Sequence, residues 1–289
     1  MTIQEVFDEV GVKYLEGNHH HARPGWVQLD CPFCGKGSNK FHLGWNIALG
    51  YGNCWKCGGH GKWSLFKALG ISQDLARQLD PHAHIPEDLG NRERSRISVK
   101  EPAGIGPLGH CHELYLLRRG FDPKEISRVW NVAGIGLAAR LKWRLYIPIF
   151  HRQVRVSWTT RAIGDKVAQR YVSASAEEEV LNHKDLIYGG DFCNHSVVVV
   201  EGPFDAWAIG PGAGALFGTS FSISQVRQIA NIPKRFICFD ADAQGPAQEL
   251  ASQLSCFPGI TENWVIDSKD PAEASKKELR KIRRLAGLS

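Results

Sequence analysis

Three short apolar segments in the C-terminal third of the chain each end in acidic residues. The segments and the acids that follow them are residues 197–200 with Glu201, residues 236–239 with Asp240 and Asp242, and residues 263–266 with Asp267 and Asp270. Short, continuous apolar runs predict strands buried on both faces, as in a parallel sheet. Because parallel strands end at the same edge of their sheet, we expect the acids to converge there.

Carboxylates gathered at one edge predict a metal site. Oxygen ligands suit Mg²⁺, which binds proteins through one or two carboxylates and retains contacts to water and substrate phosphates. Any one of these acids would be an ordinary surface residue at a strand end. The ordered set of three acidic groups instead indicates phosphoryl-transfer chemistry with Mg²⁺ or Mn²⁺.

The rest of the chain alternates between helical and strand-like patterns. Apolar residues at Trp63, Phe66, Leu69, Leu75 and Leu79 predict helix. Further helices are predicted over residues 114–118, ended by a glycine, and from residue 122 through 130, where an Asp-Pro pair starts the helix. Alternating apolar and polar residues predict strands over residues 143–150, 154–160 and 171–172.

Cysteine spacing indicates a second metal site near the N-terminus. Cys31 and Cys34 are followed after 19 residues by Cys54 and Cys57. Two C-x₂-C pairs at this separation are typical of a closed, tetrahedral and structural zinc site. Two disulfides are the alternative, but the first ten residues contain Gln4, Glu5, Asp8 and Glu9 and form no secretory signal.

Other histidines and cysteines are weaker ligand candidates. His42 and His60 flank the cysteine pairs, and residues 19–21 are three consecutive histidines. These imidazoles could bind metal, contact phosphate or simply form a polar turn. The remaining cysteines have no partner at metal-ligand spacing and are interpreted as reduced residues of the protein interior: Cys111, Cys193, Cys238 and Cys256.

Positive charge is concentrated in the middle of the chain. The protein has 289 residues and a formal net charge of +5, but residues 81–176 alone contain 16 basic and 8 acidic side chains, a net charge of +8. This segment is where we expect a polyanion to bind. No apolar stretch approaches the length of a membrane span. Residues 81–109 are rich in proline, glycine and alternating charge and are predicted to be a linker.

The acid-bearing segments resemble the TOPRIM domain of DnaG-type primases, topoisomerases and some nucleases. In that family a glutamate follows one strand, an Asp-x-Asp pair follows a middle strand, and another acid follows the next. The matching residues are Glu201, Asp240 with Asp242, and Asp270, and Asp267 is a further candidate in the last segment. The resemblance implies that these four carboxylates are catalytic and hold Mg²⁺ or Mn²⁺. Glu201 could instead act as a general base.

The order of zinc ribbon, basic segment and TOPRIM segment resembles a bacterial or phage DnaG-type primase. The implied fold is multi-domain α/β: a small β zinc ribbon over residues 1–80, a linker over 81–109, a mixed basic RNA polymerase subdomain over 110–190, and a TOPRIM domain with a mostly parallel sheet over 191–289. The resemblance covers about residues 25–275. It implies that Arg161, Arg170 and Lys184 contact nucleotide or template phosphates.

The function implied by this resemblance is synthesis of short RNA primers from ribonucleoside triphosphates on single-stranded DNA, in the cytoplasm of a bacterium or phage-infected host. No G-x-x-x-x-G-K-[ST] phosphate loop occurs, so a replicative helicase is expected as a separate protein. Template bases are expected to stack on aromatic and basic residues of the zinc ribbon, with Phe41, His42, Trp45, Trp55 and Lys56 as candidates. The alternative is a TOPRIM nuclease or a recombination-associated nucleic-acid-binding protein.

Overall fold

The computed structural model describes residues 1–16, 25–47, 50–60, 62–79, 98–138, 140–164 and 167–288. The three consecutive histidines at 19–21 and most of the predicted linker lie outside these residues. The chain divides into two compact units, Met1–Ser95 with Gln248–Thr261 and Arg96–Ala247 with Glu262–Ser289.

The N-terminal part of the first unit is an antiparallel meander flanked by helices. The strands pair in sequence order: β1 (Tyr14–Leu15), β2 (Trp26–Leu29), β3 (Leu43–Asn46), β4 (Tyr51–Cys54) and β5 (Gly58–His60). Helix α1 (Ile3–Glu9) begins with a capping box between Thr2 and Glu5. The apolar residues predicted as helix form two short helices, α2 (Lys62–Ala68) and α3 (Gln73–Gln78), because Gly70 adopts a left-handed conformation between them.

Close packing between the meander and α2 explains one glycine. A Cβ at Gly52 would lie 2.6 Å from the Leu65 side chain, so a larger residue there would require the Leu65 side chain to move. Leu65 and Phe66 are buried beside Trp45 in the core of this part of the chain. The meander is therefore held by an apolar core in addition to its cysteine cluster.

The second unit contains an antiparallel sheet preceded and followed by helical segments. Its strands pair in the order β10 (Tyr171–Ser173), β9 (Val154–Ala162), β8 (Arg144–His151), β7 (Ala133–Ile135) and β6 (Ile105–Gly106). Helices α4 (His110–Arg118) and α5 (Pro123–Trp130) lie between β6 and β7 in the chain. Asp122 caps α5 by accepting a hydrogen bond from Lys124 N, as the Asp-Pro pair predicts. The helices and the three strands predicted here are confirmed.

A four-stranded sheet with the order β12-β11-β13-β14 carries the acid-bearing segments. Its strands are β11 (Ser196–Val200), β12 (Ala213–Ala215), β13 (Lys234–Ile237) and β14 (Ile260–Asn263), and its helices are α6 (Pro203–Ile209), α7 (Ile223–Ala230), α8 (Gln244–Leu254) and α9 (Lys276–Ala286). The central strand β11 is buried throughout and runs parallel to both β12 and β13. The predicted α/β fold class is confirmed.

The third acid-bearing strand differs from its prediction by three residues. The strand ends at Asn263, where the apolar pattern predicted a strand over residues 263–266. The side chain of Trp264, just after the strand, stacks on Phe236 with ring centroids 4.2 Å apart. Its main-chain N–H donates a hydrogen bond of 2.8 Å to Ile237 O. Apolar residues beyond the end of the strand therefore serve side-chain packing and do not extend the strand.

Candidate metal centres and nucleic-acid-binding residues

The four predicted cysteines form one cluster. The sulfurs of Cys31, Cys34, Cys54 and Cys57 all lie within 4.8 Å of one another. Cys31 Sγ is 3.5 Å from Cys57 Sγ, and Cys34 Sγ is 3.6 Å from Cys54 Sγ. Zn–S bonds of about 2.3 Å in a tetrahedron place sulfurs about 3.8 Å apart, so the cluster fits one structural zinc ion. None of the eight cysteines forms a disulfide in this structure, so the geometry favours zinc over the two-disulfide alternative.

Local turns bring these sulfurs together. The first pair follows β2 in a turn closed by a hydrogen bond from Gly35 N to Cys31 O, and the second pair joins β4 to β5. Asp30 organises the segment after the first turn, because its carboxylate accepts hydrogen bonds from the main-chain N–H groups of residues 39, 40 and 41. Burial opposes ionisation of this carboxyl, but those hydrogen bonds outweigh it and lower the pKa of Asp30.

Aromatic residues around the cysteine cluster divide into buried and exposed groups. Trp45 is 2% exposed and stacks on Phe66 at 5.0 Å, so it belongs to the core. Trp55 is 58% exposed and lies on the second cysteine turn. Phe33, on the first turn, is 44% exposed and stacks on His60 at 4.1 Å. Trp55 and Phe33 are therefore accessible to a stacking base, whereas Trp45 is not.

Carboxylates from three predicted segments meet at one edge of the four-stranded sheet. Glu201 follows β11 directly, and its Oε1 accepts a hydrogen bond of 3.0 Å from the main-chain N–H of Asp240, beyond β13. The main-chain N–H of Ala241 donates to Lys269 O at 2.9 Å, which ties this loop to the segment carrying Asp270. Asp242 is exposed, whereas Glu201, Asp240 and Asp270 are half-buried.

Electrostatic repulsion in this carboxylate cluster indicates that a cation fits. Burial, followed by the negative charges of Asp205, Glu201, Asp270 and Asp242, raises the pKa of Asp240 to about 7. Burial is also the main cause of the raised pKa of Glu201. Asp240 Oδ1 is buried without a hydrogen-bond partner. A divalent cation would pair with that oxygen and relieve the repulsion, so the donor set fits Mg²⁺ or Mn²⁺. Among the described residues, only the cysteines gather three or more ligand atoms within 4.8 Å.

Asp205 belongs to this site although the sequence pattern did not assign it a role. It is 9% exposed, and burial followed by the charge of Asp270 raises its pKa to about 6. Its two oxygens accept hydrogen bonds from Gly202 N at 3.1 Å and Ala272 N at 3.3 Å. Asp205 therefore joins the segment after β11 to the segment after β14. Its position three residues after Gly202, with proline at the first helical position, is the sequence signal for a helix-capping carboxylate.

Of the three predicted phosphate-binding cations, Arg161 lies on β9 and Arg170 lies immediately before β10. The Arg161 guanidinium lies over the rings of Tyr171 at 4.7 Å and Phe204 at 5.2 Å. Phe204 is in the first turn of α6, which begins just after Glu201, so Arg161 lies beside the carboxylate edge. Arg170 is exposed and precedes β10, and its carbonyl accepts a hydrogen bond from Ala162 N.

Lys184 lies on a different segment. Its side chain is exposed, and Nζ donates a hydrogen bond of 2.5 Å to Phe217 O.

No described helix is both long and apolar enough to cross a bilayer.

The solved structures to which this chain is similar include primases. The chain is similar to the zinc-binding and RNA polymerase domains of the Aquifex aeolicus primase, with a TM-score of 0.51 and 16% identity over 99% of this chain and 83% of that one. It is also similar to the RNA polymerase domain of Mycobacterium tuberculosis primase DnaG, with a TM-score of 0.48 and 18% identity over 62% of this chain and 77% of that one. A third is the primase fragment of the bacteriophage T7 primase-helicase, with a TM-score of 0.43 and 14% identity over 90% of this chain and 98% of that one.

These comparisons concern the fold. No protein-family model and no curated protein matches the sequence. The similarity to the Aquifex aeolicus structure, which covers nearly the whole chain, shows that the protein has the fold of the zinc-binding and RNA polymerase domains of a DnaG-type primase. The resemblance indicated by the sequence motifs is thus confirmed at the level of fold.

Proposed function

We propose that this protein is a DNA primase, a DNA-dependent RNA polymerase that synthesises short RNA primers on single-stranded DNA. The observation that carries the proposal is the meeting of Glu201, Asp240 and the Asp270 segment at the end of a parallel sheet, within the fold shared with the Aquifex aeolicus primase. Phosphoryl transfer depends mainly on neutralising charge and aligning the reacting groups, and little on covalent chemistry by the protein. The carboxylates at this edge could hold the metal ions that do both.

In this proposal the carboxylates Glu201, Asp240, Asp242 and Asp270 hold Mg²⁺ or Mn²⁺. When bound, the metal would lower the pKa of the attacking 3′-hydroxyl and neutralise charge on the departing pyrophosphate. Asp205 keeps the two acid-bearing segments in register through its hydrogen bonds to Gly202 and Ala272.

Arg161, beside the carboxylate edge, is placed to contact the triphosphate of the incoming ribonucleotide. Stacking on Tyr171 and Phe204 fixes the plane of its guanidinium, so its remaining N–H groups point in a defined direction. Arg170 and Lys184 are exposed and supply further phosphate contacts in the proposal.

In the cysteine-containing meander, the zinc ion is structural. Trp55 and Phe33 provide exposed rings on which template bases stack, and such stacking contributes about 1–3 kcal/mol per base. Each exposed ring lies between two cysteines in the chain, so a bound zinc ion would fix the turns that present Phe33 and Trp55.

The test is primer synthesis from ribonucleoside triphosphates on single-stranded DNA with Mg²⁺ or Mn²⁺. We expect short RNA products from the natural protein and none from Asp240→Ala/Asp242→Ala. The matched control is Glu177→Ala/Glu249→Ala, which removes the same charge from exposed positions outside the site and should retain activity. Metal-dependent nicking of DNA without RNA synthesis would establish a nuclease instead. Equal RNA synthesis by both double variants would refute the site.

A further inference from the structure

Helix α9 carries more positive charge than its own stability requires. Lys277, Arg280, Lys281 and Arg284 are exposed and follow the spacing i, i+3, i+4 and i+7, which places them on one face. Cations in the last turn stabilise a helix by interacting with its dipole, which accounts for Arg284. Lys277 lies in the first turn, where the dipole disfavours a positive charge. Helix formation therefore does not explain this face.

The four cations line a groove of about 970 Å³. Its other wall is the segment after β14, in which Val265 is 70% exposed and Trp264 stacks flat on Phe236. The groove thus has one cationic wall and one wall with apolar and aromatic surface. Proteins bind single-stranded nucleic acid through cations that contact its phosphate backbone and through aromatic rings that contact its bases.

Acidic residues of the groove leave its positive charge in excess. Asp267 and Glu278 are the acids among its lining residues, so the lining side chains carry four positive and two negative charges. Glu278 is already engaged, because it accepts hydrogen bonds from Asp267 N at 2.8 Å and Ser268 Oγ at 2.6 Å. The hydrogen bond from Ser268 is the main cause of its lowered pKa. Within the described part of the chain, the four cations form no ion pair.

The groove adjoins the carboxylate edge. Asp267 and Ser268 line it, and the next residue, Lys269, accepts the hydrogen bond from Ala241 N that connects to the Asp240 loop. A strand lying in the groove would therefore run directly past the loop that carries Asp270. The cations span residues 277–284, about 10 Å along the helix axis at 1.5 Å per residue.

We propose that this groove binds the phosphate backbone of single-stranded DNA beside the carboxylate site. Its role as a template path rests on the proposed primase function, whereas DNA binding by the groove does not. The occupant is a polyanion because the excess charge is positive, and it is a single strand because the second wall offers apolar surface to unpaired bases.

The decisive experiment measures the affinity of the full chain for a fluorescent oligothymidylate as the salt concentration is varied. Arg280→Gln/Arg284→Gln removes two phosphate contacts and should reduce the slope of log K against log salt by about 1.4, at about 0.7 per phosphate. That change corresponds to roughly 25-fold weaker binding at about 0.1 M salt. The neighbouring lysines provide a matched pair on one helix. Lys277→Gln should weaken binding by roughly 5-fold, whereas Lys276→Gln, outside the groove, should not.

An unchanged slope in Arg280→Gln/Arg284→Gln would overturn the groove, and primer synthesis by the natural protein would leave the proposed function standing. A reduced slope without any primer synthesis would support the groove and refute the function. Displacement of the DNA by polyglutamate at equal charge concentration would overturn the assignment in favour of an acidic protein. As an independent readout, an oligonucleotide containing 5-iododeoxyuridine should crosslink to the peptide that includes Trp264. Crosslinks confined to other peptides would overturn the proposal.

Discussion

The main-chain N–H of Asp240 donates a 3.0 Å hydrogen bond to Glu201 Oε1, so one predicted site residue holds the other in place. This hydrogen bond uses the main chain of Asp240, so neither of its carboxylate oxygens takes part in connecting the two segments. One of them, Oδ1, is buried without a partner. The site therefore contains one buried carboxylate oxygen that the protein positions and to which no protein group donates a hydrogen bond, and a cation would suit that oxygen.

Asp240→Asn should abolish primer synthesis yet stabilise the metal-free protein. The substitution removes a charge that lies near Asp205, Glu201, Asp270 and Asp242. We expect activity to fall at least about 100-fold, while the free energy of unfolding in a chelator rises by about 1–2 kcal/mol. Thermal unfolding with and without Mg²⁺ measures the second effect. Asp242→Asn, at an exposed position, should lose activity without the stabilisation. A metal-free Asp240→Asn protein less stable than the natural one would contradict the repulsion.

The stability difference between Asp240→Asn and the natural protein should grow as the pH rises. The pKa of Asp240 is raised to about 7 in the folded protein, above its value in an unfolded chain, so the folded state holds this proton more tightly. Stability from that proton is present below about pH 4 and is lost as the pH rises through about 7. Melting temperatures of both proteins in a chelator at about pH 5 and pH 8 test this. An equal difference at both values would be the contrary result.

Asp205→Ala should destabilise the second unit more than Asp205→Asn. Alanine leaves the main-chain N–H groups of Gly202 and Ala272 without their acceptor. Both groups are half-buried, so each should cost about 1–2 kcal/mol, in the lower part of the range for a buried donor. We therefore expect a loss of about 2–4 kcal/mol in urea unfolding. Asparagine retains one acceptor and removes the charge that repels Asp270, so its loss should be smaller. Equal losses in the two variants would indicate that the acceptor retained by asparagine contributes nothing to stability.

Cys31→Ser should release zinc and reduce template-directed initiation while the second unit stays folded. Cys31 is buried within the four-sulfur cluster, and a closed tetrahedral site with one ligand removed binds zinc far less tightly. Metal analysis should find about one zinc per natural chain and a substoichiometric amount in the variant. Cys111→Ser changes a half-buried thiol outside the cluster and is the control for loss of a cysteine. Full zinc content and full initiation in Cys31→Ser would refute the four-cysteine assignment.

The sequence predicted those parts of the site that local pattern determines. Two C-x₂-C turns encode their own geometry, and an acid directly after a buried strand must lie at the sheet edge, so the positions of Cys31 in the cysteine cluster and of Glu201 at that edge could be predicted. Asp205 could not, because its role depends on a hydrogen bond to Ala272, 67 residues away. The predicted end of β14 was wrong for a related reason. The apolar side chain of Trp264 packs on Phe236, a residue distant in the chain, and does not mark a continuing strand.

The burial of aromatic residues could not be predicted from the sequence pattern either, and it separates two tryptophans of the cysteine-containing meander, Trp45 in β3 and Trp55 after β4. Trp45 is 2% exposed and stacks on Phe66, whereas Trp55 is 58% exposed. Trp45→Ala should therefore cost about 3–5 kcal/mol of folding free energy, as expected for a large core residue. Trp55→Ala should change stability by less than about 0.5 kcal/mol, since the side chain leaves the surface without opening a cavity.

Template binding should show the opposite order. If a base stacks on Trp55, its removal should weaken binding of single-stranded DNA by about 1–3 kcal/mol, or roughly 5- to 150-fold, with zinc content unchanged. Trp55→Phe retains an aromatic face and should recover most of that affinity, because stacking tolerates a change of ring. Fluorescence anisotropy with a short oligonucleotide, read beside urea unfolding of the same proteins, separates the two effects. Unaltered DNA affinity in Trp55→Ala would show that the exposed ring does not contact the template, and it would shift the stacking role to Phe33, the exposed ring on the first cysteine turn.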